Sequence, residues 1–598
     1  MKEKNNDNIR FMECIKLLRF MLGFIFKSDK AGFVWAIIYL LWYIIPTAFN
    51  ALIYKFLIDS LTQNKELIFI IAIVSLYALV SIITRIFSNF IYEHRFNRMS
   101  LNVKKYSNNI MLKKCTELDM ECFDDKEFYD KLSKALAQVD GRAMQVFYQL
   151  LRLSISLINF MSGLVIVTML NAGMIIVALG SGIIMYFLDI FFVKVKFKAY
   201  EKMVPINRIV DYFHSLLFNK STISDVKQYN QFGDLIIKKY NKSADEQIGL
   251  SMELAKEKLR FTVKSQLIVT LLSILFPYVY LAIQAYRSII SIADIPAMYN
   301  SFNLIVNGFS DASREITNLK ESCLYIKNLK DVIDYIPKIE RNEGEKVSTI
   351  NTIIFSEVYF KYPHSDDYVL RDFNISIRKG EKLAIVGLNG AGKSTIVKLL
   401  LRYYDPESGR VLINGIDIKK YNIYSLREKI ATLLQDFQLY SMPIDEIISC
   451  STEVDQEKIT KVLKKVGLLN KVISSTKGIH SEYGKLFDNE GIVFSGGEQQ
   501  KLCIARMCYK DSDIYIMDEP SSALDPISEY EINNQLLEIS KDKTVIMIAH
   551  RLSTIIKADT IALIENGHVE EIGCHKDLID RNGKYANMYY IQSSQYEN

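Results

Sequence analysis

The chain of 598 residues has eight cysteines (Cys14, Cys115, Cys122, Cys323, Cys450, Cys503, Cys508 and Cys574) but no C-x-x-C pair and no disulfide-like spacing. It has no surplus of one charge, and no short apolar core followed by a small-residue cleavage site at its start. Each absence excludes something. The cysteine pattern fits a reduced, cytoplasm-facing protein. A net charge of +5 is small for this length and gives no warrant for nucleic-acid binding. The polar stretch Met1 to Arg10 is not expected to be a cleaved secretory signal. With 49% hydrophobic and 24% charged residues, the average is not that of a fully membrane-embedded protein. The length allows two to four domains. The composition is in fact split, with long apolar runs in the first half and an α/β-like pattern in the second.

A membrane span needs about 20 mostly apolar residues. Phe33–Ile53, Leu67–Phe87, Ile155–Leu170, Met174–Val193 and Leu267–Tyr286 read as spans, the third and fourth joined by the tight turn Asn171-Ala172-Gly173. Ile289–Phe309 is a weaker sixth carrying Asp294, Asn300, Asn303 and Asn307, so it either faces a water-filled path or lies partly outside the membrane. Lys and Arg cluster in the two long connections, 92–150 and 194–264. That excess places both connections on the inner side, and they read as helical extensions of the spans. Arg85 and Asp189 sit where their side chains can reach the inner interface, and Asp294 fits either a substrate path or the outer interface. Ahead of the first span, Phe11–Phe26 has apolar residues at helical spacing with Lys16 and Arg19 between them. It is either an amphipathic helix on the inner membrane surface or a helix packed on a domain.

In the second half, the apolar run Leu383–Val386 leads into G-L-N-G-A-G-K-S-T (Gly387, Leu388, Asn389, Gly390, Ala391, Gly392, Lys393, Ser394, Thr395), and Ile396–Leu400 continues as a helix. Strand, glycine-rich turn and helix are the context in which G-x-x-x-x-G-K-S/T binds phosphate. Backbone N–H groups and the helix N-terminus close around the anion, Lys393 reaches the outer phosphates, and Ser394 offers a hydroxyl to Mg²⁺. Three other apolar strands end in polar groups: Ala431–Leu434 at Gln435, Ile514–Met517 at Asp518-Glu519, and Thr544–Ala549 at His550. One carboxylate after such a strand can hold Mg²⁺ and the next can polarise a water. Tyr362, about 25 residues before the loop, either stacks on a nucleotide base or packs in the core. Ser495-Gly496-Gly497 opens a helix and reads either as a second anion surface or as an ordinary capped start. A second anion surface apart from the first is best explained if two copies face each other, each completing the other's site.

Together these strings resemble the ATP-binding cassette (ABC) transporters, and the resemblance covers essentially the whole chain. The loop Gly387–Thr395 is similar to the Walker A motif, Ile514–Asp518 to the Walker B strand, Glu519 to the catalytic glutamate, Gln435 to the Q-loop, Ser522–Asp525 to the D-loop, His550 to the switch histidine and Tyr362 to the adenine-stacking aromatic. F-S-G-G-E at 494–498 resembles the L-S-G-G-Q signature, with Phe494 for Leu and Glu498 for Gln. The resemblance implies an exporter-type half-transporter of the type IV fold: a membrane all-α domain of six transmembrane helices with long cytoplasmic extensions, followed by an α/β P-loop ATPase domain. The expected boundaries are 1–30 for the N-terminal elbow, 31–340 for the transmembrane domain, 341–350 for a linker and 351–598 for the ATP-binding domain. Glu519 and His550 are then catalytic, Ser394, Gln435 and Asp518 hold Mg²⁺, and ATP lies between one copy's loop and the other's Ser495, Gly496 and Gly497.

The resemblance also implies partners and place: a second half-transporter, identical or different, membrane lipid, and an exported peptide, drug-like or lipid molecule, in a bacterial plasma membrane with the ATPase domain cytoplasmic. Coupling is expected through loops around 123–129 and 221–229. Import in the same fold, or a P-loop ATPase without transport, are the alternatives, and the apolar runs argue against the second. About 30 residues precede the first span, too few for a domain, so no N-terminal cysteine-protease domain is expected. The stretch Gly484–Gln499 is similar to exporters associated with peptide clusters. Two departures stand out. Phe487-Asp488-Asn489-Glu490-Gly491 displaces the usual acid by one residue, and Glu498 brings a negative charge near bound phosphates, so it is expected to face away.

Overall fold

The computed structural model describes residues 11–63, 65–218, 220–340, 342–434, 437–518, 538, 540–548 and 555–594. The chain forms two compact units: residues 1–112 with 131–334, and residues 113–130 with 335–598.

The first unit is helical because its long apolar runs leave the backbone no partner but itself in lipid. Its helices, some running on into the second unit, are α1 (Phe11–Ser28), α2 (Lys30–Thr62), α3 (Leu67–Asn89), α4 (Asn97–Glu117), α6 (Lys126–Leu170), α7 (Met174–Leu216), α8 (Lys220–Gln228), α9 (Asn230–Thr270), α10 (Phe276–Tyr286) and α11 (Asp294–Asp334), while the short α5 (Glu121–Asp124) lies in the second unit. The π-helical turns Phe90–Phe96 and Leu271–Leu275 carry α3 into α4 and α9 into α10. The charged long connections are therefore helical continuations of the apolar segments. Among the described residues, four helices are long and apolar enough to cross a membrane, within Lys30–Thr62, Leu67–Glu117, Gly141–Leu170 and Gln231–Tyr286, and Met174–Phe187 is a shorter apolar helix.

The sixth predicted segment needs correction at its start. Ile289–Ala293 is not helical, and α11 begins at Asp294, whose Oδ2 accepts the backbone N–H and the hydroxyl of Ser291. Asp294 also pairs with Lys55 on α2 at 2.6 Å. Arg85 is exposed on α3, and the side chain of Asp189 lies outside the described residues. Helix α1 packs one face on the protein, with Leu17, Met21 and Ile25 buried and Met12, Ile15 and Phe26 exposed. The cysteine expectation is also corrected. Cys14 on α1 and Cys323 on α11 form a disulfide with Cα atoms 5.8 Å apart. Their separation of 309 residues is why no local spacing signals it. The thiols of Cys503 and Cys508 are pushed up to about 11 by burial, which leaves them inert near neutral pH.

The second unit holds two sheets. The first, antiparallel, runs β2 (Leu370–Arg378), β1 (Thr352–Phe360), β4 (Ser408–Ile413), β5 (Ile416–Asp417). The second runs β10 (His568–Gly573), β9 (Thr560–Glu565), β3 (Lys382–Gly387), β8 (Thr544–Ile548), β7 (Ile514–Asp518), β6 (Ile430–Leu433), and is parallel from β9 to β6. Strands β3 and β7 are apolar almost throughout because helices cover such a sheet on both faces. Helix α12 (Lys393–Leu400) follows β3, and α13 (Ile423–Glu428) precedes β6. A helical lobe consists of α14 (Ile444–Ser449), α15 (Gln456–Lys465), α16 (Leu469–Ile473) and α17 (Gly496–Lys510). These helices close over Leu433, Leu463, Phe494, Leu502 and Tyr515.

Residues 113–130 lie between the second and third apolar segments in sequence yet belong to this second unit. Asp119 anchors them. Its buried carboxylate accepts the N–H groups of Lys338, Ile339 and Glu340 at 2.7–3.0 Å and the Tyr335 hydroxyl at 2.8 Å. Burial alone would raise its pKa, but these donors outweigh it and hold the carboxyl below the usual range.

Candidate functional site

The carboxyl end of β3 is where the chain must turn sharply into α12. Gly387 sits at φ +153°, and a Cβ there would lie 2.3 Å from the Ile564 carbonyl oxygen of β9. Gly392, the residue before α12, has φ +99°, a left-handed conformation that L side chains rarely adopt. The resulting loop borders a cavity of about 630 Å³ lined by Tyr362, Val369, Asn389, Gly390, Gly392, Lys393, Ser394, Thr395, Asp518 and Ile548. That volume suits a small organic ligand.

Lys393 is buried at 6% exposure, and its Nζ donates to the carbonyls of Gly387 at 2.8 Å and Leu388 at 3.0 Å. The ammonium is thus held inside the loop, where an anion seated on the N-terminus of α12 meets it. The Ser394 hydroxyl donates to Asp518 Oδ2 at 3.3 Å. A hydroxyl and a carboxylate meeting at the ends of α12 and β7 form an oxygen donor set of the kind that hard divalent cations such as Mg²⁺ take. Tyr362 packs against the core at the cavity wall. It lines the cavity, its hydroxyl lies 3.0 Å from Thr395 Oγ1, and its ring packs edge-on against Phe360 and Tyr404 at 5.1 and 5.5 Å. The expected Gln435, Glu519 and His550, and the stretch Ser522–Asp525, lie outside the described residues.

The signature F-S-G-G-E forms the first turn of α17. Ser495 is its N-cap, its Oγ accepting the Glu498 N–H while Glu498 Oε2 accepts the Ser495 N–H at 2.8 Å, a complete capping box. The ordinary capped start therefore exists. The same Oε2 also accepts Lys471 Nζ of α16 at 2.6 Å. Burial would raise the Glu498 pKa, but Lys471 and the Ser495 N–H more than offset it, so the carboxyl stays ionised near neutrality. Phe494 is buried and stacks on Tyr483 at 6.1 Å, with the Lys471 ammonium 5.0 Å from its ring centre. In the other departure, Asp488 pairs with Lys477 at 2.5 Å and Glu490 accepts the Thr476 hydroxyl at 2.9 Å. Both acids are engaged locally.

Sequence reasoning missed one polar chain. Asp124 of α5 accepts a hydrogen bond from the buried Tyr404 hydroxyl, Tyr404 packs on Tyr362, and Tyr362 reaches Thr395 in the phosphate loop. Burial, and then the Asp124 carboxylate, push the Tyr404 phenol far above its ordinary pKa, so it remains a donor. His364 lies 3.7 Å from Asp125 beside it. No local pattern signals these pairs: Asp124 and Tyr404 are 280 residues apart.

A family profile described as ABC transporter matches residues 370–522. The subtilin transport ATP-binding protein SpaT of Bacillus subtilis is 30% identical over 545 residues, covering 89% of this chain and 87% of that protein. The nisin transport ATP-binding protein NisT of Lactococcus lactis subsp. lactis is 27% identical over 600 residues, 98% of each chain. YgaD of Bacillus subtilis (strain 168), named for multidrug export, is 33% identical over 300 residues, half of each chain. Among solved structures, a bacterial Atm1-family ABC exporter with ATP bound aligns with a TM-score of 0.78 at 22% identity, covering 94% of this chain and 98% of that one. With a phosphate cradle in one unit, apolar spans in the other and near-full-length similarity to SpaT, the chain belongs to the ABC transporters, as a transmembrane domain fused to an ATP-binding domain.

Proposed function

We propose that the protein is an ATP-driven peptide exporter that works as a pair of half-transporters in a cell membrane, with its ATP-binding domain in the cytoplasm. Each ATP sits between the Gly387–Thr395 loop of one chain and Ser495, Gly496 and Gly497 of the other. Ser394, Asp518 and Gln435 would hold Mg²⁺, which when bound would neutralise phosphate charge. Tyr362 stacks on the base, Glu519 polarises the attacking water and His550 orients it. Chemistry of this kind is mostly positioning and charge stabilisation. The observation that carries the reading is the clasp of Asp124 on Tyr404 beside the nucleotide cavity. A segment that lies between two spans in sequence belongs to the same compact unit as the cradle, which supports its use in coupling nucleotide binding to the spans.

The clasp gives a specific prediction. Tyr404→Phe keeps the ring against Tyr362 and removes only the hydroxyl. Basal ATP hydrolysis is expected to stay within about threefold of wild type, because none of the proposed phosphate ligands changes. Peptide export is expected to fall about tenfold, measured on the same reconstituted preparation.

A peptide is favoured over a drug because the similarity to SpaT and NisT runs through the transmembrane half, whereas that to YgaD spans half of the chain. A peptide also suits α11, where Asn300, Asn303 and Asn307 recur on one helical face and none is fully buried. Carboxamides are poor neighbours for lipid and good ones for a peptide backbone. ATPase activity in lipid nanodiscs is expected to rise severalfold with members of an antimicrobial-peptide panel and to stay unchanged with hydrophobic dyes. Stimulation by dyes alone would reject the peptide.

A further inference from the structure

A carboxylate in the signature turn is an electrostatic liability, because the first turn of α17 is where the proposed nucleotide phosphates of the partner chain must come. Glu498 is ionised and lies three residues after the N-cap. Left alone, it would cancel part of the positive field that the N-terminus of α17 offers an anion. It is not left alone. Its Oε2 is shared between the Ser495 N–H at 2.8 Å and the Lys471 ammonium at 2.6 Å. Lys471 is held in turn by its place on α16 and by the ring of Phe494, whose centre lies 5.0 Å from Nζ. The two departures from the signature are thus parts of one arrangement: Phe494 supports the lysine, and the lysine neutralises Glu498.

We propose that Lys471 is a positioning residue of the ATP site, holding the Glu498 carboxylate in the capping box and cancelling its charge so that the signature turn can accept the phosphates of a nucleotide bound by the partner chain. The inference rests on the two-chain site proposed above. It assigns to α16, an element outside the recognised motifs, control over how tightly that site closes. It also separates charge from packing: an uncharged side chain at 471 is harmful only while residue 498 is negative.

A double-mutant cycle on the full-length protein in nanodiscs tests this. Lys471→Met keeps an unbranched stem against Phe494 and removes the charge. It is expected to raise the KM for ATP about tenfold with kcat within about threefold, and Lys471→Arg is expected to stay near wild type. In a Glu498→Gln background the same Lys471→Met change is expected to shift KM by less than about twofold. An equal KM shift in both backgrounds, or none in either, would overturn the proposal. The former would leave Lys471 a packing residue, which a parallel loss of thermal stability in both backgrounds would also report. Failure of the two-chain reading itself shows differently: Ser495→Arg on one chain of a mixed dimer and Lys393→Ala on the other would then damage separate sites in any combination. If the two-chain reading holds, placing both changes so that they fall in one shared site spares the second site.

Discussion

Lys393→Ala is expected to weaken nucleotide binding by roughly 10–10²-fold, the loss of one charged hydrogen-bond donor worth about 1.5–3 kcal/mol, and to abolish detectable hydrolysis. The geometry explains why no neighbour substitutes. The ammonium is buried at 6% exposure and fixed by the carbonyls of Gly387 and Leu388. In the loop itself, residues 387–395, it is the sole cationic side chain. Lys393→Arg is expected to fail nearly as badly, because a planar guanidinium cannot fit between two loop carbonyls spaced for an ammonium. Fluorescent-nucleotide binding to the full-length protein checks both. A folded Lys393→Ala variant that binds ATP as wild type does would remove the loop from the site.

Glu519→Gln is expected to retain ATP binding and lose turnover by about 10²–10⁴-fold, the contribution of a positioned general base. Its neighbour Asp518 ends β7 buried at 7% exposure and meets the Ser394 hydroxyl, the pair we propose holds the cation. The next carboxylate in sequence, Glu519, is the one we propose to serve the water. Glutamine keeps size and hydrogen-bonding capacity but cannot take the proton. The variant should accumulate ATP-bound, closed dimers, read as nucleotide retained after gel filtration. Persistent hydrolysis would sink the assignment.

Much of this was legible in the chain because it is periodic or contiguous. Apolar runs such as Leu67–Phe87 announce helices by length, and Leu383–Thr395 announces strand, loop and helix by composition. What escaped is pairing between isolated polar residues. Asp119 with Lys338–Glu340, Asp124 with Tyr404 and Cys14 with Cys323 are separated by more than 200 residues and belong to no pattern. Lys471 is only 27 residues from Glu498 but lies on a different helix. Two local signals do mark helix starts. Ser291-x-x-Asp294 and Ser495-x-x-Glu498 both have the spacing of a helix start. The first places the beginning of α11, and the second places the signature serine at the N-cap of its helix.

The glutamate departure in the signature also changes how the second surface is understood. The motif alone leaves a negative charge beside a phosphate site, and the expected orientation is away from it. In the structure the carboxylate turns back onto its own helix start and is neutralised from α16. A local rule is broken at the site, and its compensation lies one helix away.

The central claim, ATP-driven export of a peptide, is tested most directly by uptake of a labelled antimicrobial peptide into inverted membrane vesicles containing either the wild-type protein or Glu519→Gln. The account predicts ATP-dependent accumulation inside wild-type vesicles and none with Glu519→Gln. Accumulation that is indifferent to Glu519→Gln, or uptake confined to right-side-out vesicles, would contradict it.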